Sequence, residues 1–423
     1  MNRRESLKRM MYATLALGLA PLLKACKDAP GKILIVSGWQ DVNIGDIAHT
    51  PGLLTVLQTF LPNTKLVLWE KNVGQEVRSW LQKNFPKVEI IQGTVEKDGS
   101  VYQMEILESF KDCDLMIHGS GPSIVGQSNL EAWVKYTGKP FGIFGTTIGD
   151  VDDRLKSLLL KASFIFTRET ASIEVLKEAG IMGKHISFVP DATFFFHLHN
   201  DELAASFLKE KGLEKGKFIC AVPRLRKTPY YLIKNRHKWT EEAIQRVEDL
   251  NNRYKEVDHA KLREALIAWV RGTGNKVLLC PEMTYEVDIM DELLYNPLPD
   301  DVKPFVEKRG YWLPDEAASV YARAFAVLSF ECHSPIIAAA NGVPFFYLRQ
   351  PHDTIKGQMY YDLNFSDWIF EIEETTGKEI ADRLQGMWRN YSEACNRVAS
   401  EVKKIGDMYK VASRVVADVL MWR

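Results

Sequence analysis

The chain carries six cysteines in 423 residues, and none lies in a Cys-x-x-Cys pair or in a Cys/His spacing of the zinc-binding kind. This predicts no structural zinc or other metal and no essential disulfide. Net charge is equally scarce, at a formal -1, with no long basic run, so no overall field favours nucleic acid. The apolar stretch Met10–Leu23 is too short to be read as a membrane span. A Gly-x-Gly-x-x-Gly fingerprint is missing after the first strand, where Gly38 and Gly45 have the wrong spacing. Internal repeats and low-complexity tracts are absent too.

What is present is a globular composition, 46% hydrophobic and 26% charged, with room for two domains. Ten tryptophans and fifteen tyrosines suit the handling of sugars, although large cores use them as well. Arg3-Arg4 precedes Met10–Leu23 in a pattern that resembles a twin-arginine export signal, with Ser6 where that signal usually has phenylalanine. Leu23-Lys24-Ala25-Cys26 resembles a lipobox, with Cys26 as the residue lipidated. Residues 1–30 are therefore expected to be an export and lipoprotein signal that leaves the body periplasmic or in the cell envelope, anchored to the membrane. The other reading is an uncleaved N-terminal anchor, which also holds the body beside a membrane.

From Lys32 onward strand and helix alternate. Buried strands are expected at Lys32–Ser37, Lys65–Trp69, Val88–Ile91, Cys113–His118, Pro140–Phe144, Phe164–Thr167 and Ile186–Val189, with helices between them, the first from about Thr50 to Phe60. That rhythm argues for α/β architecture with a parallel, doubly wound sheet over 31–200. A second such domain is expected over 201–377, opening with Phe218–Val222 and carrying a charged, aromatic-rich insertion at Tyr230–Asp258 ahead of a helix at Lys261–Val270. The segment 378–423 reads as mostly helical, bridging both domains. Two Rossmann-like halves then face a cleft.

The second half centres on Ala324–Leu348, a strand–corner–helix–strand unit whose corner is Glu331-Cys332-His333-Ser334. Ser334 stands where an N-cap belongs, which would aim the free N–H groups of the helix start into the crevice that holds His333. The same residues also suit an ordinary cap beside a satisfied histidine. Arg224, Arg226 and Lys356 add three cations to this wall, fit for an anionic donor, or else Arg224 and Arg226 form a solvated strand end. The facing wall consists of small-residue loops at strand ends, Trp39–Asp46, Gly119–Ser123 and Gly145–Asp150. There Trp39, Asn43, Asp46, Gly119, Ser120, Gly121 and Thr146 are the candidates for glycan contact, while Asn43 and Asp46 serve equally well as turn formers.

In order and spacing these pieces resemble the polysaccharide pyruvyl transferase family over most of residues 33–370. They are Asn43–Asp46 (Asn-x-Gly-Asp), Asp114–Gly121, Lys139-Pro140 leading to Gly145–Asp150, and Thr167-Arg168-Glu169 with Ser172, Leu176 and Gly180. Val189-Pro190-Asp191, His333 with Ala338 and Gly342-Val343-Pro344, and Lys356-Gly357 complete the set. The resemblance implies a fold like that of glycosyltransferase-B enzymes. It also implies transfer of a pyruvyl unit from phosphoenolpyruvate, as co-substrate and with no other cofactor, onto two sugar hydroxyls as a ketal. His333 matches the late histidine of the family and becomes the candidate general acid. Where the family usually has arginine, this chain has Glu331. Beside His333 that carboxylate supplies a pair for hydrolysis, so an exported enzyme of different chemistry, such as ketal removal, stays open. So does a non-catalytic glycan-binding lipoprotein.

Overall fold

The computed structural model of the protein describes residues 31–71, 74–234 and 236–421. The expected export signal, with Arg3, Arg4 and Cys26, lies outside them. Seven parallel strands form the first sheet: β1 (Gly31–Ser37), β2 (Thr64–Glu70), β3 (Glu89–Gln92), β4 (Leu115–His118), β5 (Phe141–Thr146), β6 (Phe164–Thr167) and β7 (Ile186–Phe188). Their order is β3-β2-β1-β4-β5-β6-β7. Six more form the second: β8 (Phe218–Val222), β9 (Lys276–Leu279), β10 (Val306–Lys308), β11 (Ala326–Ser329), β12 (Phe345–Arg349) and β13 (Ile369–Glu371), in the order β10-β9-β8-β11-β12-β13. Both faces of each sheet are covered by helices. The central strands are accordingly continuous apolar runs such as Ile33–Val36, Phe218–Val222 and Ala326–Leu328, all fully buried.

Each sheet starts in its middle and winds outward both ways, so strand order reverses between β1 and β4 and again between β8 and β11. Loops leaving those four carboxyl ends diverge, and the gap between them is where an open α/β sheet receives a ligand. Trp39–Asn43 follows β1, Gly119–Ser123 follows β4, Pro223–Arg226 follows β8 and Phe330–Cys332 follows β11.

Four helices set the site. The first, α1 (Ile44–Phe60), begins earlier than the expected Thr50, because the Asn43 side chain accepts hydrogen bonds from the N–H groups of Gly45 (2.7 Å) and Asp46 (3.2 Å). The second, α2 (Glu241–Thr273), corrects the reading of an insertion. Thr240 caps it, Gly274 ends it at a φ of 69°, and the helix runs unbroken across the expected boundary at Asp258, with two short turns, Tyr230–Ile233 and Arg236–Lys238, ahead of it. Its buried Asp258 and His259 face the second domain's loops, a charge pattern that the sequence alone presents as solvated.

The third helix, α3 (His333–Ala340), corrects the position of Ser334. Cys332 occupies the N-cap, so Ser334 lies inside the first turn and its hydroxyl is directed to Glu282. The fourth, α4 (Tyr391–Met421), packs on both α1 and α3. Among the described residues no helix is long and apolar enough to cross a membrane.

The two domains meet through backbone as well as side chains. Ile44 N–H donates to Glu282 C=O (2.9 Å) and Thr284 N–H to Val42 C=O (3.0 Å). The start of α1 is thereby stitched to the loop after β9. Asp362 accepts both the N–H and the hydroxyl of Thr170 at a second point, at 2.8 and 2.9 Å.

Candidate active site

His333 stands at this junction, 7% exposed, under the first turn of α1. A Cβ on Gly45 would lie 2.2 Å from its ring, so only glycine permits this approach. The His333 Nδ1 faces Glu282 Oε1 at 3.1 Å, and the other oxygen of Glu282 accepts from Ser334 N–H (2.6 Å) and Ser334 Oγ–H (2.8 Å). The start of α3, expected to receive an anion, therefore holds the protein's own carboxylate. On the far side of the ring, Nε2 lies 3.8 Å from Asp191 Oδ2. Burial disfavours charge on His333, but Asp191 and Glu282 outweigh it and raise the imidazole well above its usual pKa. Both carboxylates titrate low, because their hydrogen bonds and cationic neighbours overcome burial.

Asp191 is itself held from several directions. Arg168 Nη1 donates to its Oδ2 (2.8 Å), while Thr193 N–H (2.9 Å) and His49 Nδ1 (3.0 Å) reach its Oδ1. The small-residue loops of the first domain supply the frame. Ser120 Oγ accepts from Ala192 N–H (3.1 Å), Thr146 Oγ donates to Gly119 C=O (2.9 Å), and Trp39 Nε1 donates to Ser120 C=O (2.6 Å). A side chain on Gly121 would press on that indole at 3.1 Å, and one on Gly145, at a φ of 69°, would press on Ser120 and Pro190. The structure thus gathers Trp39, Gly119, Ser120, Gly121 and Thr146 into one buried cluster whose polar atoms bond to one another. Asn43 caps α1, and Asp46, on the same turn, lies 3.6 Å from His49.

The cations of the second domain are neutralised within it. Arg224 Nε lies 2.9 Å from Glu331, its Nη1 binds Asp353, and Lys356 stands 3.8 Å from the same Asp353. Lys356 is pushed below its usual pKa by burial. Glu331 is pushed up by burial, with Arg224 opposing. Arg226 lies apart from this group. Its guanidinium grips Asp258 with two hydrogen bonds of 2.8 Å, reaches Glu373 at 2.6 Å and stacks on Tyr254. Near His333, then, the structure brings together Asn43, Asp46, Ser334, Glu331, Arg224 and Lys356.

Sequence reasoning gave no role to His49, Arg168, Asp191 or Glu282. Arg168 and Asp191 stand in quoted motifs, but Glu282 was part of a plain loop and His49 part of the approach to a helix. His49, Asp191 and His333 form the group among the described residues whose donor atoms lie close enough, within 4.8 Å, to hold a metal ion. The five described cysteines are free thiols, and Cys113, Cys220, Cys280 and Cys332 are buried.

Two parallel α/β domains with the chemistry lodged between their strand ends define a glycosyltransferase-B-like protein, and solved structures share that fold. A glycosyltransferase from Rickettsia africae has a TM-score of 0.59 at 11% identity, covering 94% of this chain and 100% of its own. The UDP-GlcNAc 2-epimerase of Neisseria meningitidis, bound to UDP-GlcNAc, gives 0.55 at 13%, covering 92% and 100%. The Anabaena protein HepE with UDP-glucose gives 0.53 at 12%, covering 92% and 98%. No curated protein sequence matches the chain. Residues 43–351 match the polysaccharide pyruvyl transferase family model, so the chain belongs to that family.

Proposed function

We propose that this enzyme transfers a pyruvyl group from phosphoenolpyruvate to two hydroxyls of a glycan, leaving a cyclic ketal. Membership of the family and a fold shared with glycan-modifying enzymes support the class. The observation that carries the chemistry is the imidazole of His333, held charged between Glu282 and Asp191 at the domain junction. His333 gives its Nε2 proton to the terminal enol carbon, and the π pair forms the new C–H bond. The adjacent carbon, now electron-poor, takes the first sugar hydroxyl, whose proton returns to His333. Phosphate then departs as the second hydroxyl closes the ketal, carrying that hydroxyl's proton. Arg224 and Lys356 bind the donor's anionic groups, with Arg226 fixing the loop beside them, while Ser334 holds Glu282 against His333. Trp39, Asn43, Asp46, Gly119, Ser120, Gly121 and Thr146 shape the acceptor side.

A second reading is favoured by one observation: Glu331 and Asp353 already neutralise Arg224, so a trivalent anion finds no free cation there. On that reading the same acid, with Glu331 as its partner, hydrolyses a pyruvate ketal. Either enzyme would work in the cell envelope, carried there by residues 1–30 and anchored through Cys26.

Mass spectrometry on the full-length protein tests both. Incubation with phosphoenolpyruvate and a panel of galactosides and mannosides should yield a pyruvate ketal that His333→Ala does not form. Pyruvate released from pyruvylated glycans instead would replace the transferase reading with the hydrolytic one.

A further inference from the structure

One group in the site has no role in the scheme above. His49, on α1, is fully buried, and its Nδ1 faces Asp191 Oδ1 at 3.0 Å. Its Nε2 has no hydrogen-bond partner. His333 repeats the arrangement from the other domain, with Nδ1 on Glu282 and an Nε2 that also lacks a hydrogen-bond partner. The rings meet edge to face with centroids 4.7 Å apart. A single carboxylate, Asp191, therefore stands between two imidazoles, one from each domain, and both imidazoles have a carboxylate on Nδ1. Each Nε2 faces a carboxylate beyond hydrogen-bond reach, that of His49 toward Asp46 at 3.6 Å and that of His333 toward Asp191 at 3.8 Å, so the two rings and their carboxylates form one linked set of charges across the domain junction.

We propose that His49 is a positioning residue for His333. Through the shared Asp191 carboxylate it fixes the face toward which the His333 imidazole presents its Nε2 proton, and the unit exists only when the two domains are closed. The inference rests on the reading of His333 as proton donor. It follows from how Asp191 is tied: without the His49 donor, Thr193 N–H alone would hold Oδ1, and the carboxylate would be free to turn about Oδ2, the oxygen that Arg168 holds and His333 faces. The charged groups around His333 come from both domains. Asp46, Arg168 and Asp191 belong to the first; Glu282, Glu286, Glu331, Arg224 and Lys356 belong to the second. Asp191 is the one of these on His49's Nδ1, so the carboxylate carries the polar link between two rings that also meet edge to face, while Asp46 faces the other nitrogen of His49.

A divalent metal between the two Nε2 atoms is the competing occupant. The carboxylate argues against it, because Oδ1 already accepts from His49 and Thr193, and Oδ2 from an arginine that would stand beside the ion.

The test is imidazole 15N NMR on full-length protein labelled at its nine histidines, titrated from pH 5 to 9, with His333 assigned by His333→Gln. In the wild type, His333 should be an imidazolium at pH 7. His49→Asn, which keeps an N–H for Asp191, should leave that titration in place. His49→Ala should lower the proton affinity of His333 about tenfold, one pH unit. His49→Phe, which keeps the ring but not the donor, should do the same and serves if the alanine variant does not fold. An unchanged His333 titration in both donor-less variants, a neutral His333 in the wild type, or Zn2+ shifting both Nε2 signals at one equivalent would each overturn the proposal. None of these readouts involves turnover, so a failed ketal assay leaves them intact and strikes only the proposed reaction.

Discussion

His118 and His333 occupy matching places, one at the end of β4 beside β1, the other just past the end of β11 beside β8, yet they differ in charge. His118 is surrounded by backbone: its Nδ1 faces Gly119 C=O at 2.7 Å, and its Nε2 accepts from Gly126 N–H at 3.0 Å. That pattern fits only the neutral ring, and burial pushes its pKa down to about 3. His333 meets carboxylates on both ring nitrogens and is pushed the other way. The same side chain is thus a neutral pin on one wall and, between two carboxylates, a ring whose protonated form is favoured on the other. What separates them is whether the neighbouring loop presents peptide groups or carboxylates.

The sharpest way to break the contrast is to remove the charged member. His333→Ala should cut product formation by about 10²–10⁴-fold with the fold retained, read by mass spectrometry beside circular dichroism. Next in size is Glu282→Ala, which strips the carboxylate from His333 Nδ1 and from both Ser334 donors. Breaking such a buried pair should cost about 3–5 kcal/mol in urea unfolding, and Glu282→Gln should recover part of it.

The two histidines should also give stability opposite pH limbs. His118 has a depressed pKa in the folded state, so the unfolded chain binds the extra proton below about pH 6.5 and stability falls with acid, by about 1.4 kcal/mol per unit. His333 has a raised pKa, so its contribution is complete below the unfolded value and is lost as pH rises through the folded one. Urea midpoints measured from pH 5 to 9 should lose the acid limb in His118→Asn and the alkaline limb in His333→Gln. A single limb surviving both changes would show that other groups dominate.

Two smaller effects refine the picture. Glu331→Gln should remove one of the two carboxylates on Arg224 and tighten phosphoenolpyruvate binding about tenfold, roughly 1.4 kcal/mol, by calorimetry, provided the donor reading is right. Trp39→Phe removes one 2.6 Å hydrogen bond from the neutral wall and should cost only about 1 kcal/mol of stability.

Much of this was legible in the residues. The strand runs around Ile33–Val36, Phe218–Val222 and Ala326–Leu328 are apolar because both sheet faces are covered, so period and length gave the elements, and alternation gave the parallel sheets. His333 stood out because a titratable residue followed a buried strand. Glu282 did not, since its partners lie some fifty residues on and an isolated Pro-Glu-Met loop reads as surface. Arg226 misled for a related reason: Asp258, which holds it, sits on a helix whose burial is set by tertiary packing and not by its own periodicity. His49 carried no signal at all, because its meaning depends on Asp191 and His333, both far along the chain.

The hydroxyl of Tyr409, near the middle of α4, donates to the backbone carbonyl of Asp191. A helix that follows both sheets along the chain thus braces the carboxylate shared by the two histidines. A nascent chain that has already made both sheets still lacks this brace until Tyr409 has been added and α4 has docked. Chains cut ahead of Tyr409 should keep both sheets and lose this tie to Asp191.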